Sequence, residues 1–288
     1  MSEENIDNTS IIWKQIADMW NNYFAPPSRI SNEEIKNYRN WLEKANENKE
    51  SKKALVLGAT PEIRDILKEC NYEVTIIDIN TEMILAMTSL LKTKNPDEIF
   101  VKANWLDNPL ADNYFDVVVG DAILPNIPLK DRTRLLLKIN RLLKSDGIFI
   151  TRAFYIPDKK PFRSVEEILE HFSKKEPNIQ SALEMVLELH ILTYDSDDHL
   201  GSFAKSKEAL EDYHKRKGYE FENKNLQKIH DIVWNFWCVK FVDKVFVYEY
   251  RENEEKEYKQ YFEIDDVFEA KDHDYSKITP MYFLEKIQ

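Results

Sequence analysis

Apolar residues recur along this chain with two distinct periods. Between residues 54 and 153, short continuous apolar runs alternate with stretches in which apolar positions return every three or four residues. The runs predict strands at about 54–57, 73–78, 98–102, 115–120 and 147–153, and the helical spacing predicts helices at about 61–70, 81–92 and 130–144. Runs such as VVVG and IFIT are continuous and not alternating, as expected of strands covered on both faces of a parallel sheet. Strand and helix in turn predict an α/β fold with a doubly wound, mostly parallel sheet.

The flanks read differently. Apolar residues at 12, 13, 16, 19 and 20 form a helical stripe, which Tyr23-Phe24-Ala25-Pro26-Pro27 breaks. Ser31 then caps a second helix, with Glu34 completing a capping box and Ile35, Tyr38, Trp41 and Leu42 on one face. Polar residues 46–53 link it to the first strand. Beyond the fifth strand, helical patterns run through Val165–Phe172, Ile179–Leu192 and Ala204–Tyr213. The aromatic stretch at 234–250 contains a strand, VFVYEY, while Glu252–Glu257 reads as an acidic turn. MYFLEKI reads as a final strand, antiparallel at the sheet edge. The chain divides into 1–50, 51–155 and 156–288.

Chemistry concentrates in the first crossover. The run Ala54–Leu57 meets Gly58, Thr60-Pro61-Glu62 opens a helix, and a second run ends at Asp78, 20 residues after the glycine. A carboxylate at the tip of the second strand is the Rossmann-type device for gripping ribose hydroxyls. A pyrophosphate is disfavoured here, because Pro61 has no N–H to offer and Glu62 adds negative charge at the helix start. An adenosine ligand without phosphate fits better, and S-adenosylmethionine is such a ligand. Taken locally, Thr60 and Pro61 are also ordinary N-cap and N1 residues.

Five pieces in order carry a family resemblance: LVLGATPEIR (55–64), VTIIDIN followed by Met83, Asn104-Trp105 after IFVKA, YFDVVVGDAILPNIP (114–128) and LLKSDGIFITR (142–152). Over roughly residues 45 to 155 the chain resembles class I S-adenosylmethionine-dependent methyltransferases, in a group whose first motif reads LG-x-TPE. It departs from the wider pattern at Val56, where an acid is usual, at Thr60 and Glu62, where glycines are, and at Asn104. The resemblance implies a Rossmann-like core at 51–155 with an N-terminal helical lid at 1–50. It also implies substrate-side helices and terminal strands completing the sheet at 156–288. It implies that Gly58, Ala59 and Thr60 form the cofactor turn and that Asp78 holds the ribose. Ile79 and Met83 would sandwich the adenine, and Asn104 and Trp105 would border it. Asp121 and Ala122 would face the methionine end, and Arg29 on the lid would meet the cofactor carboxylate.

Methyl transfer is a displacement at a carbon already activated by a sulfonium, so alignment matters most and a base is needed only if the acceptor must lose a proton. No catalytic dyad is therefore expected, and the small-molecule acceptor is not written in the sequence. A cofactor-binding protein without transferase activity and a nicotinamide-dependent oxidoreductase stand as the other readings.

Composition trims the alternatives. A formal charge of −12 is opposite to the basic footprint of a nucleic-acid binder. Cys70 and Cys238 read as small core hydrophobes in a reducing compartment. The six histidines are scattered without metal-ligand spacing, so no metal is expected. The acidic, polar N-terminus and the lack of a long apolar window predict a cytoplasmic protein with no membrane span.

Overall fold

Leu57 stands in register with Ile77 on one side and Gly120 on the other, and this alignment organises the molecule. The structure, a computed structural model, describes residues 13–21, 24–45 and 52–287. Helices α1 (13–21) and α2 (Asn32–Lys44) precede the sheet. The core then runs β1 (Lys53–Leu57), α3 (Pro61–Glu69), β2 (Glu73–Asp78), α4 (Thr81–Thr88), β3 (Ile99–Lys102), β4 (Phe115–Asp121), α5 (Leu129–Leu142) and β5 (Leu143–Arg152). The sheet has seven strands in the order β3-β2-β1-β4-β5-β9-β8, with β8 at Phe262–Phe268 and β9 at Met281–Lys286. Strands β1 to β5 are parallel, and β9 is antiparallel to both β5 and β8.

Successive residues of the central strands enter opposite cores, which explains their unbroken apolar runs. Val56, Ile76 and Val119 pack on one face with α2 and α3, while Leu55, Ile77 and Val118 pack on the other with α5. The expected doubly wound sheet is present.

Between β5 and β8 lie α6 (Val165–Phe172), α7 (Ile179–Thr193), β6 (Leu200–Ser202), α8 (Phe203–Lys217), α9 (Lys224–Ile232), a π-helical turn (Val233–Cys238), β7 (Val245–Val247) and α10 (Arg251–Tyr258). Strands β6 and β7 form a separate two-stranded sheet. Glu249 ties this region to the end of β5, its carbonyl accepting from Ile156 N–H at 3.1 Å.

Several expectations need correction. The acidic stretch 252–257 is not a turn but lies within α10, whose exposed side carries Arg251–Glu255 and Lys256–Glu252 pairs one helical turn apart. The strand VFVYEY shrinks to Val245–Val247, and α4 stops at Thr88 because Asp65 captures the N–H groups of Lys92 and Thr93 instead. β9 is antiparallel as expected but interior, because β8 pairs outside it. The acidic side chains of β8 suit an exposed edge. The turn residue Tyr23, residues 1–12 and most of the linker at 46–51 lie outside the described residues.

Candidate functional site

The strand order reverses between β1 and β4, so their carboxyl ends open a crevice where ligands bind in sheets of this kind. Gly58, Asp78 and Asp121 stand at adjacent strand tips there, because Leu57, Ile77 and Gly120 are in register.

Gly58 has φ +90°, a conformation that favours glycine, and its N–H donates to Ile77 O at 3.1 Å. A Cβ at this position would meet only the Trp105 ring, 3.8 Å away. Trp105 is itself anchored, its Nε1–H donating to the same Ile77 carbonyl at 2.9 Å. A methyl group on Gly58 would therefore just touch the Trp105 ring. Ala59 is buried, and Thr60 occupies the N-cap position of α3 without a capping hydrogen bond from its side chain. Pro61 takes N1, as its fixed φ allows.

Asp78 is buried, and its Oδ1 accepts from Asn80 N–H at 2.8 Å. Burial raises its pKa; the backbone N–H groups of Asn80 and Ile79 and the charge of Lys244 oppose that rise. A carboxylate has about four lone-pair sites, so room remains for further donors. Ile79 is 62% exposed, an apolar side chain offered at the strand tip, and half-buried Met83 follows on α4. Asn104 closes a local turn, its Oδ1 accepting from Leu106 N–H at 2.9 Å.

After β4, Ala122 adopts φ +48°, and its N–H donates to Arg152 O at 2.9 Å. Such backbone strain in a non-glycine residue costs about 1–3 kcal/mol and tends to gather at functional sites. The Asp121 carboxylate is held at two points by Arg152, Nε to Oδ1 at 2.7 Å and Nη2 to Oδ2 at 3.2 Å. Burial raises the Asp121 pKa and Arg152 counters it. Arg152 also lies 3.3 Å from Glu34 of α2, whose other oxygen is 3.5 Å from His273 Nε2. Burial would raise Glu34, but Arg152, His273 and Ser31 outweigh it and leave the carboxyl below its usual value.

The connector between α1 and α2 reaches the same rim. Arg29, expected at a cofactor carboxylate, has its Nε 2.5 Å from Glu62 Oε1, and Trp20 Nε1–H donates to that oxygen at 2.9 Å. The Glu62 charge at the start of α3 is thus matched by a cation, which the sequence reading did not anticipate.

Lys244 also escaped the sequence reading. It precedes β7, and its ammonium donates to Asn126 Oδ1 at 3.1 Å in the loop after β4. The residue is exposed, yet protein packed around its ammonium lowers its pKa while Asp78 raises it. Lys244 therefore stands over the crevice between its two rims. No local pattern in the sequence marks it, since both partners lie more than a hundred residues upstream. Arg152 had a visible signal, a charge directly after the fifth apolar run.

The structure brings Gly58, Asp78, Trp105 and Asp121 to one crevice, with Arg29 at its edge through Glu62. Among the described residues, no three His, Cys, Asp or Glu side chains form a group able to hold a metal ion, and no helix is long and apolar enough to cross a membrane.

Residues 57–151 match the family described as "Methyltransferase domain". No curated protein sequence matches the chain. Its fold is similar to that of a Rhodobacter sphaeroides protein provisionally described as a Zn-dependent alcohol dehydrogenase (TM-score 0.56, 14% identity, 98% of each chain). It is also similar to Burkholderia thailandensis 1,6-didemethyltoxoflavin-N1-methyltransferase with bound 1,6-didemethyltoxoflavin and S-adenosylhomocysteine (TM-score 0.53, 11% identity, 99% of this chain and 89% of that one). A third likeness is to the N-methyltransferase NodS of Bradyrhizobium japonicum in complex with S-adenosylhomocysteine (TM-score 0.52, 9% identity, 96% and 99%). At such identities these likenesses speak for the fold, and the domain match speaks for the activity. Residues 57–151 thus carry a match to a methyltransferase domain, set in a fold similar to those of methyltransferases solved with S-adenosylhomocysteine.

Proposed function

We propose that the chain transfers a methyl group in line to a small-molecule acceptor, using the crevice at the tips of β1, β2 and β4. The observation that carries this reading is the convergence on that crevice of a bare glycine ledge, a buried strand-tip carboxylate and an exposed apolar tip. Gly58 leaves its backbone bare beside Trp105, on which a Cβ would rest, Asp78 is buried with lone pairs left, and Ile79 is exposed beside it. These suit an adenosine with a free ribose edge and an apolar-stacked base.

S-adenosylmethionine, when bound, supplies a methyl group on a positively charged sulfur. The chain's own task is to hold and orient. Asp78 accepts from ribose hydroxyls, and Lys244 nearby favours its ionised form. Ile79 and Met83 cover the adenine, Trp105 limits the gap above Gly58, and Asn104 borders it. Ala59 and Thr60 extend the ledge. Asp121, fixed by Arg152, and Ala122 set the floor at the methionine end. Arg29 shapes the rim from the helical lid, since its guanidinium is committed to Glu62. Proximity of this kind suffices for a displacement whose leaving group is already activated.

A nicotinamide dinucleotide suits the site less well, because Pro61 at N1 removes one N–H from the helix start where a pyrophosphate would bind.

Two measurements test the reading. Calorimetry should give saturable binding of S-adenosylhomocysteine and none of NAD. Incubation with methyl-labelled cofactor and a cell extract should label the small-molecule fraction. Label confined to protein or nucleic acid would overturn the choice of acceptor.

A further inference from the structure

A second cavity, of about 310 Å³, lies beyond the end of β5, between α6, α7 and the segment preceding β9. Its volume is at the small end of ligand sites. Phe162, Ile191 and Ile278 supply apolar wall, and Glu188 and Tyr275 supply polar groups. None of the crevice residues described above lines it.

Glu188 is the unusual member. It is only 7% exposed, on α7, among apolar neighbours. Its Oε1 accepts from the Tyr275 hydroxyl at 3.2 Å, while its Oε2 has no hydrogen-bond partner among the described residues. A buried carboxylate oxygen left without a donor is costly, so such an atom is ordinarily matched by a donor or a ligand. No cation compensates Glu188 from within. Lys175 is committed to Glu184 at 3.8 Å, and Lys277 is exposed. Glu184 and Asp274 add negative charge to the same cavity.

We propose that this cavity binds a small organic amine, with Glu188 as its counter-ion and the apolar walls around its carbon skeleton. An ammonium supplies three donors and a positive charge to a carboxylate that has one donor and no cation. Aromatic rings at Phe162 and Tyr275 are also suited to cations. The inference goes beyond the methyl-transfer reading and rests on no residue of the cofactor crevice. The structure ties the cavity to that crevice all the same. Ile278 O accepts from Tyr155 N–H at 2.7 Å, three residues past Arg152, and His273, two residues before Tyr275, lies beside Glu34. On α7, Gln180 Nε2–H also donates to Pro26 O in the lid connector.

Burial and Glu184 raise the Glu188 pKa to about 7 against the opposing Tyr275 hydrogen bond. An ammonium ligand should therefore bind more weakly as pH falls through about 7. The other titratable groups facing the cavity are Glu184, Asp274, Tyr275, Lys175, Lys277 and His171. Burial and Lys175 lower the His171 pKa, so its charging falls below this window.

The probe is benzylamine, with benzyl alcohol as its neutral counterpart, titrated into the full chain and followed by NMR. The expected result is saturable benzylamine binding at pH 8, about tenfold or more tighter than benzyl alcohol and weakening through pH 7. Glu188→Gln, which keeps the shape and the Tyr275 contact, should abolish the preference while leaving S-adenosylhomocysteine affinity unchanged. Equal binding of amine and alcohol, or an amine affinity indifferent to both pH and Glu188→Gln, overturns the proposal. The pH series on the unaltered protein decides the matter even if the variant fails to fold. Loss of cofactor binding elsewhere would leave these outcomes untouched, so the two readings fail separately.

Discussion

Arg29 and Glu62 meet at 2.5 Å, and this pair joins the helices before the sheet to the helix that opens its first crossover. Trp20 donates to the same carboxylate, and Arg152 Nη1 reaches Arg29 O at 3.4 Å. The connector is thereby attached to the start of α3 and to the end of β5. Replacing Arg29 leaves Glu62 with Trp20 as its one named partner. Arg29→Met should cost about 1–3 kcal/mol of stability, the range for a buried charged group that loses a partner. It should also raise amide exchange over residues 24–45 and weaken S-adenosylhomocysteine binding. A variant with unchanged denaturation midpoint and exchange would make the pair a surface ornament.

Asp78→Ala should weaken S-adenosylhomocysteine binding by roughly 10- to 150-fold, the equivalent of about 1.5–3 kcal/mol for hydrogen bonds to a charged group. The protein should stay folded, since the lost contact is a turn hydrogen bond to Asn80. The Asp78 pKa is raised, so its carboxylate becomes protonated at a higher pH than an ordinary aspartate. Affinity should accordingly begin to fall on acidification above the usual aspartate range. Unchanged affinity in calorimetry would remove Asp78 from the site.

The first crossover was legible in the sequence because its chemistry is local. Gly58, Pro61 and Asp78 carry their meaning within one strand–helix–strand unit, and the apolar runs of β1, β2, β4 and β5 are buried on both faces. What stayed hidden depends on distant partners. Helix α10, RENEEKEY, has too few apolar residues to announce itself. It is held by the fully buried Arg132–Glu254 pair and by the Tyr258 hydroxyl on Glu254. Strand β8 went unmarked because acidic residues interrupt its apolar positions, only one side of it being covered. Lys244 and Asn126 are 118 residues apart, so no window holds both. The commitment of Arg29 to Glu62 likewise needs the fold to bring two segments together.

Gly58→Val should be more damaging than Asp78→Ala. At φ +90° a β-branched residue is strained by about 1–3 kcal/mol or more. A Cβ alone would clear the protein, its nearest neighbour being 3.8 Å away, so collision is not the first cost. The γ-carbons of valine would reach beyond that Cβ, against Trp105 and into the space above the turn proposed for the ligand. Gly58→Ala should therefore show the strain with less of the binding loss, and Gly58→Val should show both. Wild-type affinity in the valine variant would reduce Gly58 to an ordinary turn residue.

Lys244 gives the sharpest test of the crevice, because its effect has a sign that mere packing does not. Its charge lowers the Asp78 pKa against the rise caused by burial. Lys244→Met removes the charge while keeping a long, largely apolar side chain. The Asp78 pKa should then rise further, and the acid limb of the S-adenosylhomocysteine binding profile should move to higher pH. Lys244→Arg should restore the wild-type limb even if the Asn126 contact changes. Both profiles are measured by calorimetry at low ionic strength, where a charge at an exposed residue is least screened. A methionine variant whose affinity drops equally at every pH would assign Lys244 to covering the cleft alone, and the electrostatic role would be lost.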